Sequence, residues 1–136
     1  LPKATGWLSG LRSDASREQL ARAAVEGVCC SLLDALDALA AVAPVDRVVL
    51  VGGGARSAAY REVFASLSSL PVATADAAEA VATGAAVQAA AIALGVSHDE
   101  VAQRWGLGRT TPVTAGATGV DVRAAYAALR STAYPA

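Results

Sequence analysis

The sequence predicts an α/β fold in which helices pack on a short sheet, and two observations carry that prediction. Two short apolar runs, residues 47–51 and 70–74, alternate with longer segments whose apolar residues recur every third or fourth position. Such alternation of strand-like and helix-like segments is typical of α/β proteins. The first run opens directly into three glycines and a serine, which is the pattern of a strand that turns sharply into a helix.

The first predicted helix follows an irregular segment, residues 1–15, in which Pro2 and two glycines act as breakers. Ser16 and Gln19 form a capping box at its start, and its apolar pattern continues to about residue 41. Two apolar rows are predicted to face the core and to cover more than half of the helix circumference. They are Leu20, Ala24, Val28, Leu32 and Leu36, widened by Val25, Cys29, Leu33 and Leu39.

The glycine turn after the first strand leads into a second helix, predicted over residues 58–68 with Ser57 as its N-cap. The second strand, residues 70–74, precedes a third helix whose start is assigned to a capping box of Asp76 and Glu79. A strand followed by a helix therefore occurs twice in this part of the chain.

The last third of the chain is predicted to hold two more helices and a long loop. Gly95 ends the third helix as a left-handed residue, and Ser97 opens a short helix that ends at Trp105. Residues 106–120 are rich in Gly, Thr and Pro and are predicted to form a loop. The final helix is predicted over residues 122–131, capped by the aspartate before it.

The predicted elements indicate an incomplete protein. Two strands are too few to make a stable sheet, and the chain contains no methionine. We therefore expect it to be an internal piece of a longer protein, whose other parts supply the remaining strands.

The composition argues against several classes of function. Apolar residues make up 54% of the 136 residues, aromatic residues only 4%, and the formal net charge is −1. No apolar stretch reaches the roughly 18 residues that cross a bilayer, and there is no basic patch of the kind that binds nucleic acid. The sequence predicts a soluble domain with neither a membrane nor a nucleic acid as partner.

Two adjacent cysteines, Cys29 and Cys30, lie in the first predicted helix. A disulfide between neighbours on one helix would be strained, and no histidine or third cysteine lies at metal-ligand spacing. We predict small core residues in a reducing, cytoplasmic protein and no metal site formed by this chain.

The three glycines at 52–54 are the strongest functional signal. A tight strand-to-helix turn needs one glycine, and each further glycine costs about 0.5–1 kcal/mol of backbone entropy relative to alanine. Bare backbone N–H groups next to the positive end of a helix suit a phosphate or a nucleotide. The pattern therefore predicts that a nucleotide or phosphate approaches this backbone closely.

Two known nucleotide-binding motifs, the dinucleotide-binding motif and the P-loop, match the sequence of the glycine turn poorly. Gly52, Gly54 and Ser57 imitate the dinucleotide-binding pattern, and Asp76 lies where an acid would bind the ribose. The third glycine is absent, however, and a helix precedes the first strand. A P-loop is excluded because no Gly-Lys-Ser/Thr follows the glycines.

Segments spread over nearly the whole chain resemble the FGGY family of carbohydrate kinases. Residues 6–11 and 19–26 (GWLSGL and QLARAAVE) resemble the second signature of that family, and residues 51–57 (VGGGARS) resemble its adenosine-binding turn. Residues 70–72, Glu79 and residues 84–86 and 88–90 are similar to the stretch that follows the turn, and Tyr126 and Tyr134-Pro135 resemble the usual C-terminal ending. Within the family, the chain is most similar to bacterial xylulokinases.

The resemblance implies two actin-like (ribonuclease H-like) domains with a cleft between them. Members transfer the γ-phosphate of ATP to a sugar hydroxyl with Mg²⁺, here implying conversion of D-xylulose to D-xylulose 5-phosphate. Residues 1–136 would be the last part of the C-terminal, nucleotide-binding domain, and the N-terminal sugar-binding domain would be absent. Another pentose, hexulose or polyol kinase of the family remains the alternative.

Carried over residue by residue, the resemblance implies a set of cofactor-binding residues. It places the backbone of Gly53, Gly54 and Ala55 against adenosine and the α-phosphate of ATP or ADP. Arg56 and Ser57 are implied as neighbours of the adenine or the phosphates. The Mg²⁺ would be held through the nucleotide and the missing part of the protein.

The same resemblance places the catalytic aspartate and the sugar-binding residues outside this chain. The chain alone is therefore predicted not to phosphorylate sugar. Some members place an asparagine in contact with the base where this chain has Ala58. Four aspartates are predicted to be structural, on solvated helix edges, at a strand entrance or at a cap: Asp34, Asp37, Asp46 and Asp76.

A different class of function stays open beside the kinase hypothesis. The chain could be a helical interaction module without a ligand, or form a dimer through exposed apolar faces. Glu26 is predicted either to serve the family signature or to pair with Arg22 four residues earlier. Trp7 and Trp105 are predicted to be packing anchors.

Overall fold

The structure is a computed structural model that describes residues 5–76, 79–117 and 121–134. The predictions for Pro2 and Pro135 lie outside the described residues. Over those residues the chain forms five α-helices, three strands and one 3₁₀ turn. In chain order they are α1 (Arg17–Ala40), β1 (Val48–Leu50), the 3₁₀ turn (Gly54–Arg56), α2 (Ala58–Leu67), β2 (Val72–Ala75), α3 (Ala80–Leu94), α4 (His98–Arg104), β3 (Thr110–Pro112) and α5 (Val122–Ala133).

The three strands form one sheet in the order β1-β2-β3. β1 and β2 are parallel, with Val48 opposite Val72, and α2 makes the crossover between them. β3 runs antiparallel to β2, with Thr111 opposite Thr74. The α/β prediction is confirmed, because a parallel pair of strands is joined through a helix.

β3 lies inside the segment that was predicted to be a loop, so that part of the prediction is wrong. Its sequence is Thr-Thr-Pro, and Pro112 pairs opposite Ala73. Proline is confined to strand ends and sheet edges because it cannot donate a hydrogen bond to the ladder. Pro112 is the last residue of β3, and β3 lies at an edge of the described sheet. The sequence Thr-Thr-Pro does not by itself indicate a strand, and only the pairing with β2 identifies one.

The main core lies between the sheet and the two helices α1 and α2. Its buried members are Cys29 and Leu33 of α1, Phe64 of α2 and Val72 of β2. A second, smaller core joins α3 to α4 through Val87, Ala91 and Val101. The two cysteines are buried and unpaired with each other, as predicted.

Only one of the two apolar rows of α1 faces this core. Leu20, Val28 and Leu32 of the row that was predicted to lead are 37%, 54% and 48% exposed. Cys29 and Leu33, from the row that was predicted to widen it, are 0% and 1% exposed. A helix that is apolar on most of its circumference carries several rows at the same spacing, and the position of the sheet selects one of them.

The caps of the helices follow from local sequence, with one exception. The capping box of Ser16 is present, Asp121 caps α5, and Gly95 ends α3 with φ 65°. The prediction that Asp76 caps α3 is wrong. The N-cap of α3 is Glu79, and Asp76 instead accepts a hydrogen bond from the Thr111 hydroxyl at 2.9 Å.

Charged side chains join α5 to α1. Arg123 donates to Asp34 at 3.1 Å and to Asp37 at 2.7 Å, and Arg130 also pairs with Asp34. The Asp34 side chain is only 26% exposed. The prediction of a solvated helix edge is therefore wrong for Asp34, because α5 packs against that edge and supplies two cations.

Two further sequence predictions concern aromatic and apolar surface. Trp7 and Trp105 are 58% and 48% exposed, so they are not the packing anchors that were predicted. Among the described residues, no single helix is long and apolar enough to cross a membrane, although α3 and α4 taken together pass that test with a bend of 110° between them.

Candidate nucleotide-binding site

The glycine turn lies at the carboxyl end of β1 and leads into α2. Ser57 accepts a hydrogen bond from the Tyr60 N–H at 3.3 Å, so its predicted role as N-cap is confirmed. Because β1 and β2 are parallel, their carboxyl ends lie at the same edge of the sheet, where ligands of open α/β sheets bind. The turn therefore occupies a position that suits a binding site.

The three glycines differ in what the chain itself requires of them. Gly52 has φ +86°, a conformation that favours glycine. Gly53 has φ −61° and ψ −42°, which any residue adopts, and a Cβ placed there meets nothing within 4 Å. A Cβ on Gly54 would lie 3.6 Å from the Tyr60 ring, an ordinary contact. Neither conformation nor packing within the described residues therefore explains the second and third glycines.

The backbone of the turn also leaves donors available. The Arg56 and Ser57 N–H groups bond to the carbonyls of Gly53 and Gly54, both at 3.1 Å. Within the part of the chain that the structure describes, no hydrogen bond uses the N–H groups of Gly53, Gly54 or Ala55. The first N–H groups of a helical turn have no partner inside it, and an anion is a good acceptor for them.

Two side chains from α2 and α3 hold the turn. Arg61 donates from Nη1 to the Ala55 carbonyl at 2.8 Å, and Arg56 donates from Nη2 to Glu79 at 2.8 Å. No role at the turn was predicted for Arg61, although it lies one helical turn after Ser57 and so on the same face. Glu79 was predicted to belong to a helix cap, because nothing local links it to a residue 23 positions earlier.

A polar cavity of about 370 Å³ adjoins the start of α2. Ala58 and Arg61 of α2 line one side, and Thr74, Thr111 and Thr114 line the other. Ala58, where the resemblance implies a base-contacting asparagine in some related proteins, lines this cavity together with the three threonines. Residues of β3 and the segment after it line this cavity, and no role was predicted for them because the whole segment was predicted to be a loop.

A larger cavity of about 530 Å³ lies elsewhere, between residues 5–10, α1 and α5. It is mainly apolar, and none of the five predicted nucleotide-binding residues lines it. Glu26 on its wall accepts from Arg22 at 2.6 Å, so the predicted i,i+4 pair is present. Among the described residues, no group of three or more His, Cys, Asp or Glu side chains is arranged to hold a metal ion.

Comparison with known proteins assigns the chain to a family. The sequence model of the FGGY family of carbohydrate kinases, C-terminal domain, matches residues 1–93. The chain therefore belongs to the FGGY family of carbohydrate kinases. The resemblance that the turn and the signature segments suggested is thereby confirmed.

Several proteins similar to this chain are xylulose kinases. A xylulose kinase of Streptomyces coelicolor is 44% identical over 107 residues, covering 77% of this chain and 22% of that protein. A xylulose kinase of Klebsiella pneumoniae is 33% identical over 125 residues, covering 92% of this chain and 25% of that protein. The chain thus spans about a quarter of the length of the curated relatives it matches.

A solved structure confirms the fold. The crystal structure of a protein described as a xyloylose kinase from Brucella ovis superposes with a TM-score of 0.76 and 25% identity. The match covers 98% of this chain and 28% of that one. The actin-like ATPase fold that the resemblance implied is therefore confirmed.

Proposed function

We propose that this chain is the adenosine-nucleotide-binding portion of an ATP-dependent sugar kinase. The backbone of Gly53, Gly54 and Ala55 packs against adenosine and the α-phosphate, and Arg56 and Ser57 adjoin the adenine or the phosphates. The observation that carries the proposal is the open backbone of the turn. Gly53 has neither a conformational nor a packing reason to be glycine within the described residues, which leaves the approach of a ligand as the reason.

The whole protein is proposed to convert D-xylulose to D-xylulose 5-phosphate in the cytoplasm. The names of the relatives support this substrate, since curated proteins of the family at 33–44% identity are xylulose kinases. Another pentose, hexulose or polyol remains the alternative substrate. We propose neither a nucleic acid nor a membrane as partner, in keeping with the net charge of −1.

The nucleotide fits this chain better than a metal does. The turn N–H groups that have no partner among the described residues suit an anion, and Arg56 and Arg61 add positive charge beside them. Mg²⁺ supplies charge neutralisation of the transferred phosphate in kinases. We propose that it is held through the nucleotide and the rest of the protein, and that this chain contributes by fixing the nucleoside.

The proposal is tested by titrating ADP into the purified chain by isothermal titration calorimetry, comparing Gly53→Val with the unmodified protein. We expect the affinity of Gly53→Val to fall about tenfold or more, because loss of close backbone approach costs at least one good contact of about 1.4 kcal/mol. The fold is expected to be kept, since the backbone conformation at Gly53 is open to any residue and nothing lies within 4 Å of the added Cβ; circular dichroism of the variant checks this.

The matched control is Gly27→Ala, at a glycine inside α1 where an added Cβ likewise meets nothing within 4 Å. It should raise helix stability by up to about 1 kcal/mol and leave ADP affinity unchanged. Equal affinities for the unmodified chain and Gly53→Val, or no binding of ADP to the unmodified chain, would contradict the proposed site.

A second candidate function is an interaction surface, and exposed apolar side chains favour it. Val28 and Leu32 on α1 and Val81 and Ile92 on α3 are 54%, 48%, 90% and 82% exposed. Apolar surface of this kind is typical of a surface that another chain covers. Sedimentation analysis with and without ADP separates the two candidates: tight dimerisation without ADP binding favours the interaction module.

A further inference from the structure

The side chain of Glu79 does not do what its position at a helix start would suggest. Glu79 is the N-cap of α3, yet its carboxylate makes no capping hydrogen bond. Instead Oε1 accepts from Nη2 of Arg56 at 2.8 Å, across 23 residues of sequence. The carboxylate therefore lies directly on a cation of the proposed nucleotide site.

The ion pair between Arg56 and Glu79 is weak enough for another anion to replace Glu79. The Arg56 and Glu79 side chains are 66% and 73% exposed, and exposed pairs of this kind shift an equilibrium by no more than about fivefold. The diphosphate of a nucleotide carries more negative charge in total than a carboxylate, and a phosphate, like a carboxylate, accepts two parallel hydrogen bonds from one guanidinium. The replacement of Glu79 by a phosphate is therefore favourable for Arg56.

The charges around the turn favour this replacement when an anion binds. Arg56 and Arg61 are the cations beside it, while Glu62 lines the adjoining cavity and Glu79 contacts Arg56. Arg61 is committed to the Ala55 carbonyl, so it fixes the backbone. As long as Glu79 occupies Arg56, an incoming phosphate meets a nearby carboxylate as well as a cation.

Resting on the proposed function, we propose that Glu79 tunes the affinity of the nucleotide site for ligands that carry a phosphate. Its carboxylate occupies Arg56 until a nucleotide phosphate replaces it. A ligand that carries a phosphate displaces Glu79 and forms its own ion pair with Arg56. A nucleoside has no phosphate, so it leaves the Arg56–Glu79 pair intact and its affinity does not depend on that pair. Because the Arg56–Glu79 ion pair must break before a nucleotide phosphate contacts Arg56, Glu79 lowers the affinity for every nucleotide by the free energy of that pair.

The test compares ADP with adenosine by calorimetric titration of the chain and of Glu79→Gln, Arg56→Gln and the double variant. We expect Glu79→Gln to bind ADP about three- to fivefold more tightly, the strength of an exposed ion pair, with adenosine affinity unchanged. In the Arg56→Gln background, Glu79→Gln should leave ADP affinity unchanged, because the pair no longer exists. Glu100→Gln is the control, since Glu100 is an exposed glutamate paired with Arg104 at 2.6 Å on α4.

Each outcome bears on a different claim. If Glu79→Gln binds ADP no more tightly than the unmodified chain, the inference about Glu79 is overturned while the proposed function stands. An equal gain in the Arg56→Gln background also overturns it, because long-range repulsion rather than exchange would then be the cause. If the unmodified chain does not bind ADP, the proposed function fails and this inference fails with it.

Discussion

Cys29 shows how the environment of one residue sets its chemistry. Its side chain is 0% exposed between α1, α2 and the sheet. Burial, with the neighbouring Cys30 adding to it, raises the pKa of the Cys29 thiol from the ordinary value of 9.0 to about 11. The thiol is therefore neutral at physiological pH, and Cys29 acts as a small apolar core residue rather than as a nucleophile.

The raised pKa of Cys29 predicts how stability depends on pH. A thiol whose pKa is higher in the folded than in the unfolded chain stabilises the fold fully below pH 9.0. That contribution is lost as the pH rises from about 9 towards 11, because the unfolded chain releases its proton first. We expect the free energy of unfolding, measured with urea, to fall over this range.

The matched variant for this prediction is Cys29→Ala, which is less stable at pH 7 because it leaves a small void. Its loss of stability between pH 9 and pH 11 should be smaller than that of the unmodified chain. Identical slopes in both proteins would show that other groups, and not the Cys29 thiol, cause the alkaline loss.

Among the elements, α1 has two apolar rows with different roles. Leu33 is 1% exposed within the main core, whereas its neighbour Leu32 is 48% exposed. Leu33→Ala is expected to lower the free energy of unfolding by about 2–5 kcal/mol, because it leaves a cavity among packed side chains. Leu32→Ala is the control and should cost about 0.5 kcal/mol or less, as exposed substitutions do. Urea unfolding of both variants measures the difference, and similar losses would mean that the sheet packs on another face of α1.

β3 and α5 show that the later elements depend on partners distant in sequence. β3 is a strand because it pairs with β2, and α5 is held at α1 by the pairing of Arg123 with Asp34 and Asp37. α5 itself was predicted from its own cap and apolar pattern, over nearly the observed range. Its attachment to α1 was not, since an aspartate on a helix edge gives no local sign of which cation it will meet.

At the scale of the whole molecule, the chain is about a quarter of the kinases it resembles. Phosphoryl transfer needs a base for the sugar hydroxyl and clamps for metal and phosphates. The family resemblance places the catalytic aspartate outside this chain. We therefore expect no ADP release above background when the purified chain is incubated with ATP, Mg²⁺ and D-xylulose.

The full-length xylulose kinase of Streptomyces coelicolor, in the same coupled assay, is the positive control. Turnover by the chain at the rate of that control would refute the assignment of the catalytic base to the missing part. It would also require one of the chain's own side chains to act as the base.

The sequence by itself determined those features that depend on neighbours within one helical turn. The caps at Ser16, Ser57 and Asp121 and the left-handed Gly95 were correctly predicted, because each is fixed by hydrogen bonds or backbone conformation over three or four residues. The glycine turn and the family were likewise evident from contiguous residues.

Only the tertiary structure decided which row of α1 is buried, that residues 110–112 form a strand, and that Glu79 contacts Arg56 rather than capping α3 by its side chain. Each of these depends on a surface or a charge supplied by residues more than 20 positions away. Local periodicity and capping patterns contain no information about such contacts, since the same residues would satisfy several alternatives equally well until the sheet and helices come together.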